Sequence, residues 1–472
     1  MNVTRMPAFA APSIDPELLA RYDVLGPRYT SYPTAPHFTP DFDEAQLRAQ
    51  ADASNEDPIP HALSLYIHAP FCMSPCFYCG CNRVITRDRE KGELYLARLY
   101  REIEIYSALF DRDRSAVQLH FGGGTPNFFD VEQMTEIMDV LARHFSLSRS
   151  ENREFGIELD PRYADADYVR ALAGMGFNRL SMGIQDFDPE VQRAVNREQG
   201  VEETRILIEA ARETGFRSIS VDLIYGLPLQ TSKRFVNTLD IVLAMRPDRI
   251  AAYSYAHLPE QFKPQRQIDS GDLPTAETKL DLLRLTVEKL TAAGYVYIGM
   301  DHFALPQDDL SKAQRAGSLQ RNFQGYSTHA ECDIVAMGMS AISRIGRSFS
   351  QNARDLIGYY AALDQGRLPV VRGLQLSLDD EIRGTLIAEL MCQNRIDIQS
   401  FGARYKIDFK NYFSIELQRL ETLVKDGLVA WDSEGFSVTT RGRLLVRTVA
   451  MCFDAYLQQQ KGPSSPRYSR TI

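Results

Sequence analysis

Apolar and polar residues along the middle of the chain follow a repeating order. Short β-branched runs at 63–68, 116–121, 154–159, 178–184, 218–224 and 249–254, with a further one at 295–300, read as strands. Between them, apolar positions recur at helical spacing near 93–109, 130–144, 165–175, 201–214, 232–244 and 277–293, which predicts amphipathic helices. Strand–helix units in series imply a parallel sheet with right-handed crossovers. Six or seven units suit a complete or partial (β/α) barrel better than an open doubly wound sheet, which periodicity alone does not exclude.

The flanks read differently. Residues 1 to about 14 and a tail containing Gly462-Pro463-Ser464-Ser465-Pro466 are expected to be mobile. The segment Gly26-Pro27-Arg28-Tyr29-Thr30-Ser31-Tyr32-Pro33-Thr34-Ala35-Pro36 is too rich in proline for regular helix and predicts an extended strap. It either packs on a neighbouring domain or presents Arg28, Tyr29 and Tyr32 to a site as a lid. Residues 39–60 read as a short acidic helix and a linker. Beyond the strand–helix region come a polar-aromatic loop at 321–328 and a small-residue turn within 334–343. From about 372 the pattern is helical and closes with two short strands, 427–431 and 435–439, as in a winged-helix module. The expected divisions are therefore 1–60, 61–371 and 372–472.

A barrel places its chemistry just past the C-terminal ends of the strands. Polar and glycine residues gather there: the loop Cys72 to Cys81, then Gly122-Gly123-Gly124-Thr125-Pro126, Glu158-Leu159-Asp160, Gln185-Asp186, Asp222 with Tyr225-Gly226-Leu227-Pro228, and Tyr255-Ala256-His257. The glycine run marks either a tight turn or a close approach of ligand to backbone. Glu158 and Asp222 lie inside apolar runs, where an unpaired carboxylate is costly, so they are expected to hold a ligand's hydroxyls or ammonium group. Salt-bridge partners are the plainer alternative. His68 is as readily an interior histidine as a functional one, and Arg197 reads as a helix-surface charge.

Four of the seven cysteines fall within ten positions, at Cys72, Cys76, Cys79 and Cys81. Thiols held this closely usually serve a soft metal or a cluster. A structural zinc site would normally add a second Cys/His pair, which the sequence does not offer, so the spacing favours an iron–sulfur cluster over zinc. The odd cysteine count points to a reducing compartment. Ordinary composition, the lack of a long apolar run or signal pattern, and a net charge of -9 give the expectation of a cytoplasmic protein with neither membrane nor nucleic-acid partner.

The pattern Cys72-x3-Cys76-x2-Cys79 after a strand resembles the signature of radical S-adenosylmethionine (SAM) enzymes. Tyr66-Ile67-His68, Cys79-Gly80-Cys81-Asn82, the 122–126 run, Asn178 to Phe187, Asp222 to Pro228 and the strap together resemble the oxygen-independent coproporphyrinogen III oxidase (dehydrogenase) family, from about residue 20 to the end. The resemblance implies a partial (β/α)6-type radical SAM barrel with an N-terminal strap and a mostly helical C-terminal domain. It makes Cys72, Cys76 and Cys79 ligands of a [4Fe-4S] cluster and Cys81 a non-ligand.

It also implies two SAM molecules. Tyr66, Gly123, Glu158 and Ile342 match positions around one; Tyr78, Gly124, Thr125, Gln185, Arg197, Asp222 and Ala256 match positions around the other. Tyr66, His68 and Glu158 are the catalytic candidates. The implied reaction is oxidative decarboxylation of two propionates of coproporphyrinogen III to vinyl groups, giving protoporphyrinogen IX, in a monomer served by a low-potential electron donor and a final electron acceptor. Arg28, Tyr29, Arg321 and the 322–328 loop are candidates for the substrate's carboxylates. Departures at Ser327 to Asp333 and at Cys392-Gln393-Asn394-Arg395 bear on those contacts. A related haem chaperone is the alternative, but such relatives generally lack both the strap and the cysteine at position 81. A methyltransferase or haem-degrading relative is a further one.

Overall fold

The computed structural model describes residues 11–329, 332–459 and 468–470. The chain forms two compact units, one of Phe38–Thr275 with Glu331–Leu376, the other of Met1–His37, Ala276–Ala330 and Ser377–Ile472. In the first unit, β1 (Leu63–Ala69), β2 (Ser115–Gly123), β3 (Glu154–Leu159), β4 (Arg179–Gln185), β5 (Ser218–Tyr225) and β6 (Arg249–Ser254) pair in parallel, each beside the next in sequence. On the other side of β1 lies β7 (Asp333–Met337), also parallel, followed by antiparallel β8 (Ile342–Ile345), β9 (Ser348–Asn352) and β10 (Val370–Gln375). Among the described residues the order β6-β5-β4-β3-β2-β1-β7 does not close on itself, so the barrel is partial.

The connecting helices fall where the periodicity predicts, at Glu90–Ser107, Val131–His144, Ala166–Gly174, Val201–Glu213 and Ser232–Met245. Their starts are set locally: Asp130, Asp165 and Thr231 each cap backbone N–H groups of the first turn. Along the strands burial alternates with period two. Leu180, Met182 and Ile184 of β4 and Ile219, Val221 and Leu223 of β5 are buried, while Ser181, Gly183, Gln185, Ser220 and Asp222 on the opposite face keep partial exposure. Apolar side chains thus form the core, and polar ones line the concave face.

The second unit is organised around helix Leu378–Gln393 and a three-stranded sheet of Arg395–Asp397, Gly435–Val438 and Val429–Trp431. Leu386, Leu390, Phe413, Phe436 and Phe453 lie at its core. Tyr29 and Tyr32 of the strap are buried in that core, the Tyr29 hydroxyl donating to Asp454 at 2.9 Å and the Tyr32 hydroxyl accepting from the Ala455 N–H at 3.0 Å. The further strand expected at 295–300 forms as Val296–Gly299, but in an antiparallel pair instead of a parallel one. Val296–Gly299 turns back through Gly299 and Met300, both at positive φ, to pair antiparallel with His302–Ala304 in the second unit.

Of the segments expected to be mobile, residues 1–10 and 460–467 lie outside the described residues. Ser13 is tied by its N–H to the Thr440 carbonyl at 2.9 Å. In the departing stretch 327–333, residues 330 and 331 likewise lie outside the described residues. No described helix is long and apolar enough to cross a membrane.

Candidate active site

The cysteine loop leaves the C-terminal end of β1 and is pinned at its root by short strands Phe71–Cys72 and Val84–Ile85. All its cysteines are free thiols. Thr125 Oγ1 donates to Cys72 Sγ at 3.4 Å, while Arg197 Nη1 and Arg162 Nη2 donate to Cys76 Sγ at 3.4 and 3.6 Å. Arg83 holds the carbonyls of Cys76, Cys79 and Cys81 at 3.2–3.3 Å. A hydrogen bond from Cys81, with Arg83 nearby, brings the Cys79 thiol down to about 6, whereas burial pushes Cys72 up to about 11. Among the described residues no three Cys, His, Asp or Glu side chains converge on a single ion. The three thiols on one compact loop, with guanidinium groups to balance thiolate charge, suit a cluster bound through three corners.

The glycine run acts on the protein itself before any ligand. Gly123 has φ +109°, and a Cβ there would lie 2.4 Å from the His68 ring; one on Gly124 would lie 2.8 Å from the Ala69 and Phe71 carbonyls. This close approach lets Gly124 N–H donate to Ala69 O at 2.7 Å and Thr125 N–H to Phe71 O at 2.8 Å. The second βα loop is thereby locked to the root of the first.

Register then assembles the concave face. Tyr66 lies opposite His120, and their rings stack at 6.0 Å. His120 Nε2 meets Glu158 Oε1 at 3.1 Å, and Tyr66 OH meets His68 Nδ1 at 3.2 Å. His68 Nε2 lies 3.1 Å from Asn82 O. Burial pushes His68 below the ordinary imidazole range, so it is neutral. A carbonyl only accepts, which puts the His68 proton on Nε2 and makes Nδ1 the acceptor from Tyr66. Burial opposes ionisation of Glu158, yet hydrogen bonds from His120 and the Gly123 N–H hold it below the usual carboxylate range; its side chain keeps 46 % exposure. Asp222 shows the opposite balance: burial and then the nearby Glu158 charge push it up to about 7, with Arg197 opposing.

A second group centres on Arg197, which is 7 % exposed and no surface charge. It pairs with Asp160 at 3.1 Å and donates to the Gly183 carbonyl. Gln185 has φ +69° and a buried Oε1 without a partner, and Arg197 Nε is likewise unpaired. Open polar atoms of this kind fit a polar ligand. Gln265 Nε2 clips together the carbonyls of Tyr78 at 3.0 Å and Ala256 at 3.2 Å. Ile342 opens β8 next to Ala341, which packs with Ile334, Ala336 and Tyr66.

Three contributors escape sequence reasoning: His120, Arg162 and Gln265. His120 had a usable signal, since it shares the alternating face of β2 that ends at the glycine run; Gln265 lies in a connection with no periodic pattern.

Known proteins agree with this architecture. Residues 66–242 match the model of the Radical SAM superfamily and residues 376–445 that of the HemN C-terminal domain. The chain is 50 % identical over 461 residues to oxygen-independent coproporphyrinogen III oxidase of Pseudomonas aeruginosa, covering 97 % of this chain and 98 % of that one. It is 46 % identical over 458 residues to its Escherichia coli counterpart, with coverage of 97 % and 98 %. The solved coproporphyrinogen III oxidase (HemN) of Escherichia coli, described as a radical SAM enzyme, superposes with a TM-score of 0.89 at 44 % identity, covering 95 % of this chain and 100 % of that one. With the radical SAM region, the C-terminal region and nearly the full length matched, the chain belongs to the oxygen-independent coproporphyrinogen III oxidase family of radical SAM enzymes.

Proposed function

We propose that this chain is an oxidoreductase that converts two propionates of coproporphyrinogen III to vinyl groups without oxygen, giving protoporphyrinogen IX for haem synthesis. The observation that carries this reading is the three-thiol loop above a polar-lined partial barrel, in a chain similar over 97 % of its length to proteins named for this reaction. Cys72, Cys76 and Cys79 would hold a [4Fe-4S] cluster. When bound and reduced, the cluster and SAM would supply the one-electron, hydrogen-abstracting chemistry that oxidative decarboxylation of a propionate to a vinyl group requires.

The chain's own residues prepare this chemistry. Arg162 and Arg197 donate to Cys76 Sγ. Glu158, kept ionised by His120, suits an ammonium group, and Asp222 with the open Gln185 Oε1 suits hydroxyl donors. Neutral His68 orients the Tyr66 hydroxyl by accepting its hydrogen bond at Nδ1. We further assign Tyr66, Gly123, Glu158 and Ile342 to one SAM molecule and Tyr78, Gly124, Thr125, Gln185, Arg197, Asp222 and Ala256 to a second. Tyr66, His68 and Glu158 are the catalytic residues in this reading. It takes the protein as a cytoplasmic monomer, free of membrane and nucleic acid, served by a low-potential electron donor and a final acceptor.

The test is anaerobic turnover by the reconstituted, reduced protein supplied with coproporphyrinogen III and SAM. Protoporphyrinogen IX is the expected product. Tight haem binding without turnover would instead support a chaperone.

A further inference from the structure

The second unit gathers several arginines, one of which keeps open donors. Arg321 sits on the strand Gln320–Asn322 directly opposite Tyr326 of Gly325–Ser327, with its guanidinium over the Tyr326 ring at 4.9 Å. The platform is fixed: Tyr326 OH donates to Met391 O at 3.1 Å, and Gln393 Nε2 donates to Leu319 O at 2.9 Å. Arg321 Nε and Nη1 are nevertheless buried without an acceptor. A cation with open buried donors demands an anionic or strongly accepting partner.

Its neighbours add charge of the same sign. Arg443 and Arg447 are 7 % and 3 % exposed. Arg443 lies over Tyr297 at 5.0 Å and donates to its carbonyl at 2.8 Å, while Arg447 donates to the carbonyls of Gly26, Pro27 and Arg470. Burial, followed by repulsion from Arg28, lowers Arg447 to about 10, with Arg321 adding to that repulsion. Asp301, ion-paired with Arg28, acts on Arg447 in the opposite direction.

We propose that Arg321, in the field of Arg443 and Arg447, binds a carboxylate of the substrate's propionates. Tyr29, whose hydroxyl is committed to Asp454, is not part of this site. The inference rests on the coproporphyrinogen reading, which names a tetracarboxylate. Arg321 is a binding residue, its open donors serving the bound anion, while Arg443 and Arg447 act through charge. An anion that gains one charge-assisted hydrogen bond in a buried site should lose about 10- to 100-fold in affinity when the donor is removed.

The experiment uses the full chain with two non-reactive probes, coproporphyrin III and its tetramethyl ester, read by porphyrin fluorescence. Arg321→Gln should weaken the tetra-acid by that factor, leave the ester unchanged and raise KM for coproporphyrinogen III more than it lowers kcat; Arg321→Lys should recover part of the loss. Unchanged tetra-acid binding, or equal losses for both probes, would overturn the proposal. Should Arg321→Gln not fold, phenylglyoxal labelling of the native protein decides: coproporphyrin III should protect Arg321, and equal labelling at saturation counts against the site. A native protein that turns over coproporphyrinogen III while Arg321→Gln binds normally defeats this inference alone. A native protein that neither turns over nor binds the tetra-acid defeats the functional reading, and this inference with it.

Discussion

At the scale of single residues, the site sets carboxyl groups against each other. Glu158 is held ionised by His120, and its charge helps push Asp222 up to about 7. If ionised Asp222 accepts hydroxyls of SAM, affinity for SAM should rise with pH through about 7. Asp222→Asn should flatten that rise and weaken SAM binding about tenfold, as measured by equilibrium dialysis, with the cluster absorption unchanged. Cys76→Ala should abolish both cluster absorption and turnover; a brown, active variant would remove Cys76 from the ligand set. Glu158 and Asp222 were legible because each interrupts an apolar strand. Arg197 was not, since Asn196-Arg197-Glu198 reads as a helix-surface charge until β4 and the cysteine loop close over it.

At the scale of elements, two devices fix the loops. The first is the close packing of Gly123 on His68. Gly123→Ala would drive a methyl group into that ring at a positive φ, with an expected cost of about 2–4 kcal/mol. Iron per chain and melting temperature should fall together. The second is Glu102, wholly buried on helix Glu90–Ser107, which accepts from Gly338 N–H, Asn352 Nδ2 and Tyr359 OH. It joins that helix to the turn between β7 and β8 and to helix Leu356–Asp364.

Burial pushes Glu102 up to about 7 despite these donors. The folded state then holds the proton more tightly than the unfolded chain, so stability falls as pH rises from about 4.5 through 7. Glu102→Gln should lose about 1–3 kcal/mol at pH 5, because an amide NH2 must face a donor, and should flatten the decline above it. Urea denaturation at both pH values reads this. The six parallel strands and their helices were legible because core and concave face alternate in sequence. The hairpin at 296–304 was not, because Gly299 and Met300 reverse the chain without a Pro or Asn-Gly signal.

At the scale of the whole molecule, the chain spends one compact unit on the thiol loop and concave sheet and the other on the winged region, the strap and the arginine group. The family was readable from motif order along nearly the full length. What the motifs could not supply was the discontinuous make-up of the second unit, which gathers three separate segments of sequence through contacts no local pattern encodes. The central claim is that one radical event is spent on each of two propionates. Its most direct test is the ratio of 5′-deoxyadenosine to protoporphyrinogen IX formed anaerobically from coproporphyrinogen III and SAM. Two equivalents of 5′-deoxyadenosine for each protoporphyrinogen IX, and none of either with Cys76→Ala, is the predicted result. Protoporphyrinogen IX formed without 5′-deoxyadenosine would contradict it.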